Sequence, residues 1–362
     1  MKKRILLVSS GKLDQSGVPS VIMAAVRTLS DVCTFDLLLT TDAEGYYDRE
    51  FRQYGGRILR VPKKHFRFAP LQTLADVLRP LSLYCRTRAI LRQTSYDGIH
   101  CHNEFDMAGC LAAAAAARVP LRAAQVHRTW SDEGTGPLTR LYRTLCRRVI
   151  NARATIRLGC SAAANDAFYG KTGAEMIVTP YDESRFVPDG ASRDGVLRIV
   201  QVGYFCENKN QLFSLEVFRH LAAARPDAEL LFVGSDAGRY GQKLRERIRE
   251  TGLEQRVRLY PADADIPALL RTCSLMLFPS RAEGFGIVLI EAQAMGLACC
   301  ASDQVPRETD CGGVTYLPLS AGPAAWAEAI LRERRYETAQ PCDVSAFTTA
   351  AYTAQLRRIY GV

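Results

Sequence analysis

Short apolar runs bounded by polar turns recur along the whole chain, and between them lie longer stretches with apolar residues at helical spacing. The runs Lys3–Ser9, Thr34–Leu39, Arg57–Val61, Asp97–Asn103, Ala154–Leu158, Leu197–Tyr204, Ala228–Gly234, Val257–Tyr260, Leu275–Phe278 and Ala298–Ser302 read as strands. Several are continuously apolar rather than alternating, the pattern of parallel strands covered on both faces. Segments starting at Ser20, Thr139, Lys243, Ile266, Ile287, Ala324 and Phe347 read as helices. Strand and helix take turns, which predicts an α/β protein built on doubly wound parallel sheets.

A chain of 362 residues is too long for one ordinary core, so two domains are expected. Apolar residues make up 48% and charged residues 23%, the balance of a soluble globular protein. The run Leu111–Ala117 is alanine-rich, ends at Arg118 and is too short to cross a bilayer. Met1-Lys-Lys-Arg4 before Ile5–Val8 has the order of a signal peptide, but its apolar part is short and no small-residue cleavage site follows; it reads as the first strand. Twelve cysteines lie without metal-ligand spacing, and in the absence of a secretion signal they are expected to be reduced and mostly buried.

The stretch richest in chemistry is Ser274–Gly296. The apolar run Leu275–Phe278 stops at Pro279-Ser280, Gly284 and Gly286 permit a sharp turn, and Ile287–Met295 then favours helix with Gly296 placed to end it. Backbone N–H groups at a helix start have no internal partner and bind anions, phosphates above all. Glu283 and Glu291 flank that turn, and carboxylates accept hydrogen bonds from paired sugar hydroxyls. A molecule with phosphates in its middle and hydroxyls at both ends, a nucleotide sugar, suits the arrangement. For a single glutamate the plainer role, capping a helix or facing water, stays open.

Glu283-Gly-Phe-Gly-Ile-Val-Leu-Ile-Glu291, with Pro279-Ser280 before it and Glu291-Ala-Gln-Ala-Met-Gly296 after, resembles the Glu–seven residues–Glu signature of retaining glycosyltransferases of family 4, which have the GT-B fold. The resemblance implies two facing Rossmann-like doubly wound domains: an acceptor-side domain over 1–187, a nucleotide-sugar domain over 188–345, and a helix over 346–362 crossing back to the first. It implies a donor site of Gly17, Lys209, Glu283, Gly284, Phe285, Gly286, Ile287 and Glu291. In it Glu283 holds sugar hydroxyls, Glu291 the ribose hydroxyls and Lys209 the diphosphate. The family's usual arginine after the first glycine of this domain is Tyr204 here, and its double glycine near the N-terminus is Ser16-Gly17. The linker Val178–Phe186 has Pro180-Tyr181 where the family has Asn-Gly.

Two N-terminal strands end in histidines: Asp97-Gly-Ile-His-Cys-His-Asn103 and Arg122-Ala-Ala-Gln-Val-His-Arg-Thr-Trp130. By the resemblance His127 is the active-site histidine, and His102 with Asn103 stands on the acceptor side; a hydrogen-bonded interior histidine fits the same residues. The catalytic set is thus His127, Glu283 and Lys209. Asp263-Ala-Asp265 has the form of a metal-binding Asp-x-Asp pair, but it precedes a helix at Ile266, so Asp265 reads as an N-cap and no metal or other cofactor is expected.

Charge adds a partner. Residues 1–190 carry 27 Lys and Arg against 18 Asp and Glu, and residues 191–362 carry 20 against 20, so the whole excess of +9 lies in the N-terminal half. No aromatic–basic motif or recognition helix accompanies it, which argues against nucleic acid. An anionic membrane surface or a lipid-phosphate acceptor fits, as does a merely solubilising surface. The segment Lys63–Arg92 is basic, and Leu74, Val77, Leu78, Leu81 and Tyr84 form a helical stripe that suits either its own sheet or a membrane. These readings predict a cytoplasmic enzyme, peripheral on the inner face of the membrane, that moves a sugar from a nucleotide diphosphate to a hydroxyl of a glycan or lipid-linked acceptor in surface polysaccharide synthesis. The alternative is a degenerate GT-B protein that binds without catalysis.

Overall fold

The computed structural model describes residues 2–14, 17–62, 69–130, 135–171, 173–188, 195–235 and 238–362. Ser16, Lys63–Phe68 and most of the polar stretch Pro188–Asp194, which entered the sequence reading, lie outside them, as does the side chain of Leu74. Two compact units divide the chain, one of residues 1–180 with 349–362 and one of residues 181–348.

In the first unit the strands are β1 Lys3–Ser9, β2 Cys33–Leu39, β3 Ile58–Arg60, β4 Gly98–Cys101, β5 Leu121–Val126, β6 Ile156–Gly159 and β7 Glu175–Met176. They form one sheet in the order β3-β2-β1-β4-β5-β6-β7 with every neighbour parallel. In the second, β8 Arg198–Val202, β9 Glu229–Val233, β10 Val257–Tyr260, β11 Leu275–Phe278, β12 Ala298–Ser302 and β13 Val314–Leu317 form a parallel sheet in the order β10-β9-β8-β11-β12-β13. The strand order reverses between β1 and β4 and again between β8 and β11. Those are the two places where loops diverge and leave a crevice at the carboxyl ends of the strands.

The helices, in chain order, are α1 Gly17–Leu29, α2 Asp48–Gln53, α3 Ala69–Gln93, α4 Met107–Ala116, α5 Pro137–Arg153, α6 Ala162–Tyr169, α7 Gln211–Ala224, α8 Arg239–Glu250, α9 Ile266–Thr272, α10 Ile287–Ala294, α11 Gly322–Glu333, α12 Arg335–Thr338 and α13 Thr349–Tyr360. Local signals account for several of their ends. Asp265 Oδ1 accepts from the Ala268 amide at 3.1 Å, so this carboxylate is an N-cap, and Ser161 caps α6 through the Ala164 amide in the same way. Gly296 ends α10 at φ +73°, a conformation a Cβ would strain. α5 stops at Arg153 because Ala154 is extended, at the start of the run Ala154–Leu158 that reads as a strand in the sequence.

Each sheet has its own core. Ile5, Leu7, Phe35, Leu37 and Ala123 fill the first, joined by Tyr352, Leu356 and Tyr360 of α13, which packs beside α1. Ile199, Leu230, Phe232, Leu275, Leu277 and Trp326 fill the second. All twelve cysteines are free thiols, most of them buried.

One helix departs from the simplest sequence reading. On α3, Val77, Leu78 and Leu81 are 49%, 48% and 61% exposed, while Leu83 and Thr87 are buried. The cause lies in α4, which is glycine- and alanine-rich. A Cβ on Gly109 would stand 1.9 Å from the Pro80 carbonyl oxygen, so the two helices approach backbone to backbone and α4 receives the face of Pro80, Leu83 and Thr87. The stripe read from spacing therefore points outward.

Candidate active site

In the second unit, β8 and β11 stand side by side and the loops that leave them are fastened together. Asn208 Nδ2 donates to the Ala282 carbonyl at 2.8 Å, the Arg281 amide donates to the Asn208 carbonyl at 2.8 Å, and Asn210 Nδ2 donates to the Pro279 carbonyl at 3.2 Å. Asn210 sits in the left-handed region at φ +59°, which asparagine tolerates better than most residues. Gln201, pointing up from β8, donates to the Lys209 carbonyl at 2.6 Å. The latch presents Lys209 to Glu283: Nζ and Oε1 are 2.5 Å apart, with the side chains 22% and 11% exposed. The same ammonium lies 4.8 Å from the centre of the Phe278 ring.

Beyond Glu283 the backbone turns into α10 at Gly286, whose φ of +97° and close approach to the Phe278 ring both favour glycine. Gly284 and Phe285 are buried, Phe285 against Phe347 with ring centres 5.6 Å apart, and Ile287 opens the helix half-buried. Glu291 follows on α10. Burial lifts its carboxyl to about 7; Arg185 opposes the rise and Asp182 adds to it. Tyr204 is 57% exposed on the first loop, and Arg281 is exposed on the second.

The first unit carries a second constellation. His102, just past β4, shares a hydrogen bond with His127, just past β5: Nδ1 and Nε2 are 2.9 Å apart and the rings are stacked. His100 lies one step deeper, its ring centre 4.2 Å from that of His102 and its Nδ1 2.8 Å from the Tyr360 hydroxyl of α13. Burial lowers all three pKa values, to about 4 for His127 and about 3 for His100, with mutual repulsion reinforcing the effect on His100 and His102. Asn103 is buried at the same strand end. Arg128 next to His127 grips Glu104 with two bonds of 2.6 Å and lies over the Trp130 ring at 4.1 Å, which fixes the loop. Gly17 opens α1, and a Cβ there would meet nothing within 4 Å.

The structure thus joins Lys209 to Glu283 and His102 to His127, pairings that spacing alone does not reveal. Asn208, Asn210, Gln201 and the Tyr360–His100 contact were absent from the sequence reading. The run Asn208-Lys-Asn210 was a signal for Asn210, since asparagine is the residue best suited to a non-glycine left-handed turn. Among the described residues, no group of three or more His, Cys, Asp or Glu side chains is placed to hold a metal ion.

Two doubly wound parallel sheets of seven and six strands define the GT-B class of fold. Solved structures agree: HepE of Anabaena in complex with UDP superposes with a TM-score of 0.77 over 99% of both chains at 18% identity, and TarM with a TM-score of 0.75 over 100% of this chain and 99% of that one at 11% identity. Residues 197–333 match the family described as Glycosyl transferases group 1, and residues 16–182 match the Glycosyl transferase 4-like domain. EpsF of Bacillus subtilis (strain 168), designated a glycosyltransferase, is 29% identical over 91% of this chain and 88% of its own. The GDP-mannose:cellobiosyl-diphosphopolyprenol alpha-mannosyltransferase of Komagataeibacter xylinus is 27% identical over 53% of this chain and 51% of its own. The chain belongs to the GT-B glycosyltransferases of family 4.

Proposed function

We propose that the protein transfers a glycosyl group from a UDP- or GDP-sugar to a hydroxyl of a glycan or lipid-linked acceptor, with retention at the anomeric carbon and without a metal. Its place would be surface polysaccharide synthesis, at the cytoplasmic face of the membrane. The observation that carries this reading is the Lys209–Glu283 pair at the β8–β11 switch point, beside the start of α10. In the free protein the two charges neutralise each other. An arriving diphosphate offers Lys209 a better partner, and Glu283 is released to accept hydrogen bonds from the sugar. As the bond from the anomeric carbon to the phosphate oxygen breaks, its electron pair moves onto the diphosphate. Lys209 and the amides at the start of α10 meet that charge. Glu291 would take the ribose hydroxyls. His127, steadied by its hydrogen bond with His102 and with Asn103 on the same strand end as His102, is assigned to the reacting side of the sugar and the acceptor; its depressed pKa keeps the ring neutral and able to hydrogen-bond.

The relatives support the substrate class, since one is named for a GDP-mannose donor and a polyprenol diphosphate acceptor, and HepE was solved with UDP. A second reading, binding without turnover, is favoured by Tyr204 standing exposed where the family has an arginine. Calorimetric titration with UDP, GDP and their sugars, followed by donor hydrolysis or transfer in a mixed-acceptor assay, separates the two. Binding with no turnover on any acceptor would leave only the second, and no nucleotide binding at all would remove both.

A further inference from the structure

The largest unpartnered feature outside the site is on the first unit. α5 exposes Leu138, Leu141, Leu145 and Val149 at 79%, 56%, 50% and 37%, spaced three and four residues apart and so on one face. Only Cys146 and Ile150 of this helix are buried, because the opposite face meets α4. α3 flanks α4 from the other side and exposes Val77, Leu78 and Leu81. Both helices also contact the short turn Glu104–Asp106. Arg79, adjacent to Leu78, is bonded to Asp106 Oδ2 at 2.5 Å, and the charge of Asp106 reaches Tyr142, adjacent to Leu141. A folded monomer seldom shows so many bulky aliphatic side chains on neighbouring helices unless something covers them.

The charge around this face says what. α5 has five arginines and no acidic residue, and α3 has four arginines against Asp76 alone. Arg86, Arg92 and Arg148 are exposed and without an ion-pair partner among the described residues. A second copy of the same face would bring these arginines against each other, which like-charge repulsion opposes. Aliphatic side chains rimmed by arginine instead match a layer of anionic headgroups over acyl chains.

We infer that α3 and α5 together form the membrane-docking face, with Leu138, Leu141, Leu145, Val77, Leu78 and Leu81 entering the headgroup–acyl boundary of an anionic leaflet and the arginines pairing with lipid phosphates. The inference rests on the lipid-linked branch of the proposed acceptor, but its residues are separate from those assigned to the donor. No helix among the described residues is long and apolar enough to cross a membrane, so the contact is a surface one.

The test uses the full chain and vesicles of phosphatidylcholine alone or mixed with phosphatidylglycerol. Wild-type protein should co-sediment with the mixed vesicles at low salt and be released at high salt. The double variants Leu141→Gln with Leu145→Gln, and Arg140→Gln with Arg148→Gln, should each lower the partition coefficient about tenfold or more. Both alter exposed positions, so their thermal unfolding should match wild type. Vesicle binding by the leucine variant equal to wild type would overturn the inference, as would failure of the wild type to bind either vesicle. So would a lipid-free dimer in sedimentation velocity that the leucine variant dissociates. Titration of UDP and GDP on the same samples reads the donor site independently: lost nucleotide binding with intact vesicle binding sinks the transferase reading and leaves the docking face standing.

Discussion

The structure gives Glu283 and Glu291 opposite circumstances. Glu283 is held by a lysine, so its charge is satisfied before any ligand arrives. Glu283→Gln should therefore bind UDP or GDP more tightly, by about tenfold, because Lys209 no longer has to leave a carboxylate partner. The same variant should turn over more slowly, since an amide accepts sugar hydroxyls less strongly. Calorimetry and initial rates check this, and weaker nucleotide binding would contradict the role given to Lys209. Glu291 has no such partner among the described residues, and its carboxyl is raised to about 7 from an ordinary 4.5. A raised value means the folded state holds the proton longer than the unfolded one, so stability is full below about 4.5 and lost as pH climbs to about 7. Glu291→Gln should thus melt higher than wild type at pH 8 and equally at pH 4, while binding donor more weakly. A melting difference independent of pH would rule out buried charge as the cause.

At the scale of elements, the strand–turn–helix of β11 and α10 was legible because everything that builds it is local: an apolar run, a glycine forced to positive φ, a glycine stop. The cap at Asp265 was legible for the same reason. The outward turn of α3 was not, because periodicity reports that apolar residues share a face and not which neighbour claims the helix; Gly109 on α4 decides that from 29 residues beyond Pro80. The latch between the β8 and β11 loops was hidden for a similar reason, since Asn208 and Ala282 meet only after two strands pair. α13 offers the sharpest test of packing. Leu356 is fully buried between α1 and the first sheet, so Leu356→Ala should cost roughly 2–5 kcal/mol and lower the melting temperature of the first unit. A loss below about 0.5 kcal/mol would mean that α13 leaves its groove in solution.

For the molecule as a whole, the two units should answer acid in opposite senses. His100, His102 and His127 all belong to the first, and their folded values lie far below the ordinary 6.5. Depressed values mean that the unfolded chain takes protons first, so the stability they contribute is present above about 6.5 and drains away as pH falls toward 4. Glu291 acts on the second unit with the reverse sign over nearly the same window. Calorimetric scans between pH 7 and pH 5 should therefore show the first unit melting progressively earlier relative to the second. Parallel shifts of the two transitions would show that these buried groups do not govern the response.

The lodging of α13 in the first unit also bears on biosynthesis. A ribosome finishes residues 1–180 long before it makes 349–362, so the first sheet must wait, with the groove for Tyr352, Leu356 and Tyr360 open, while all of 181–348 is translated. The second unit is contiguous in sequence and suffers no such delay. The half of the protein that emerges first is thus the half that matures last, and the newborn chain spends that interval with an apolar trench uncovered.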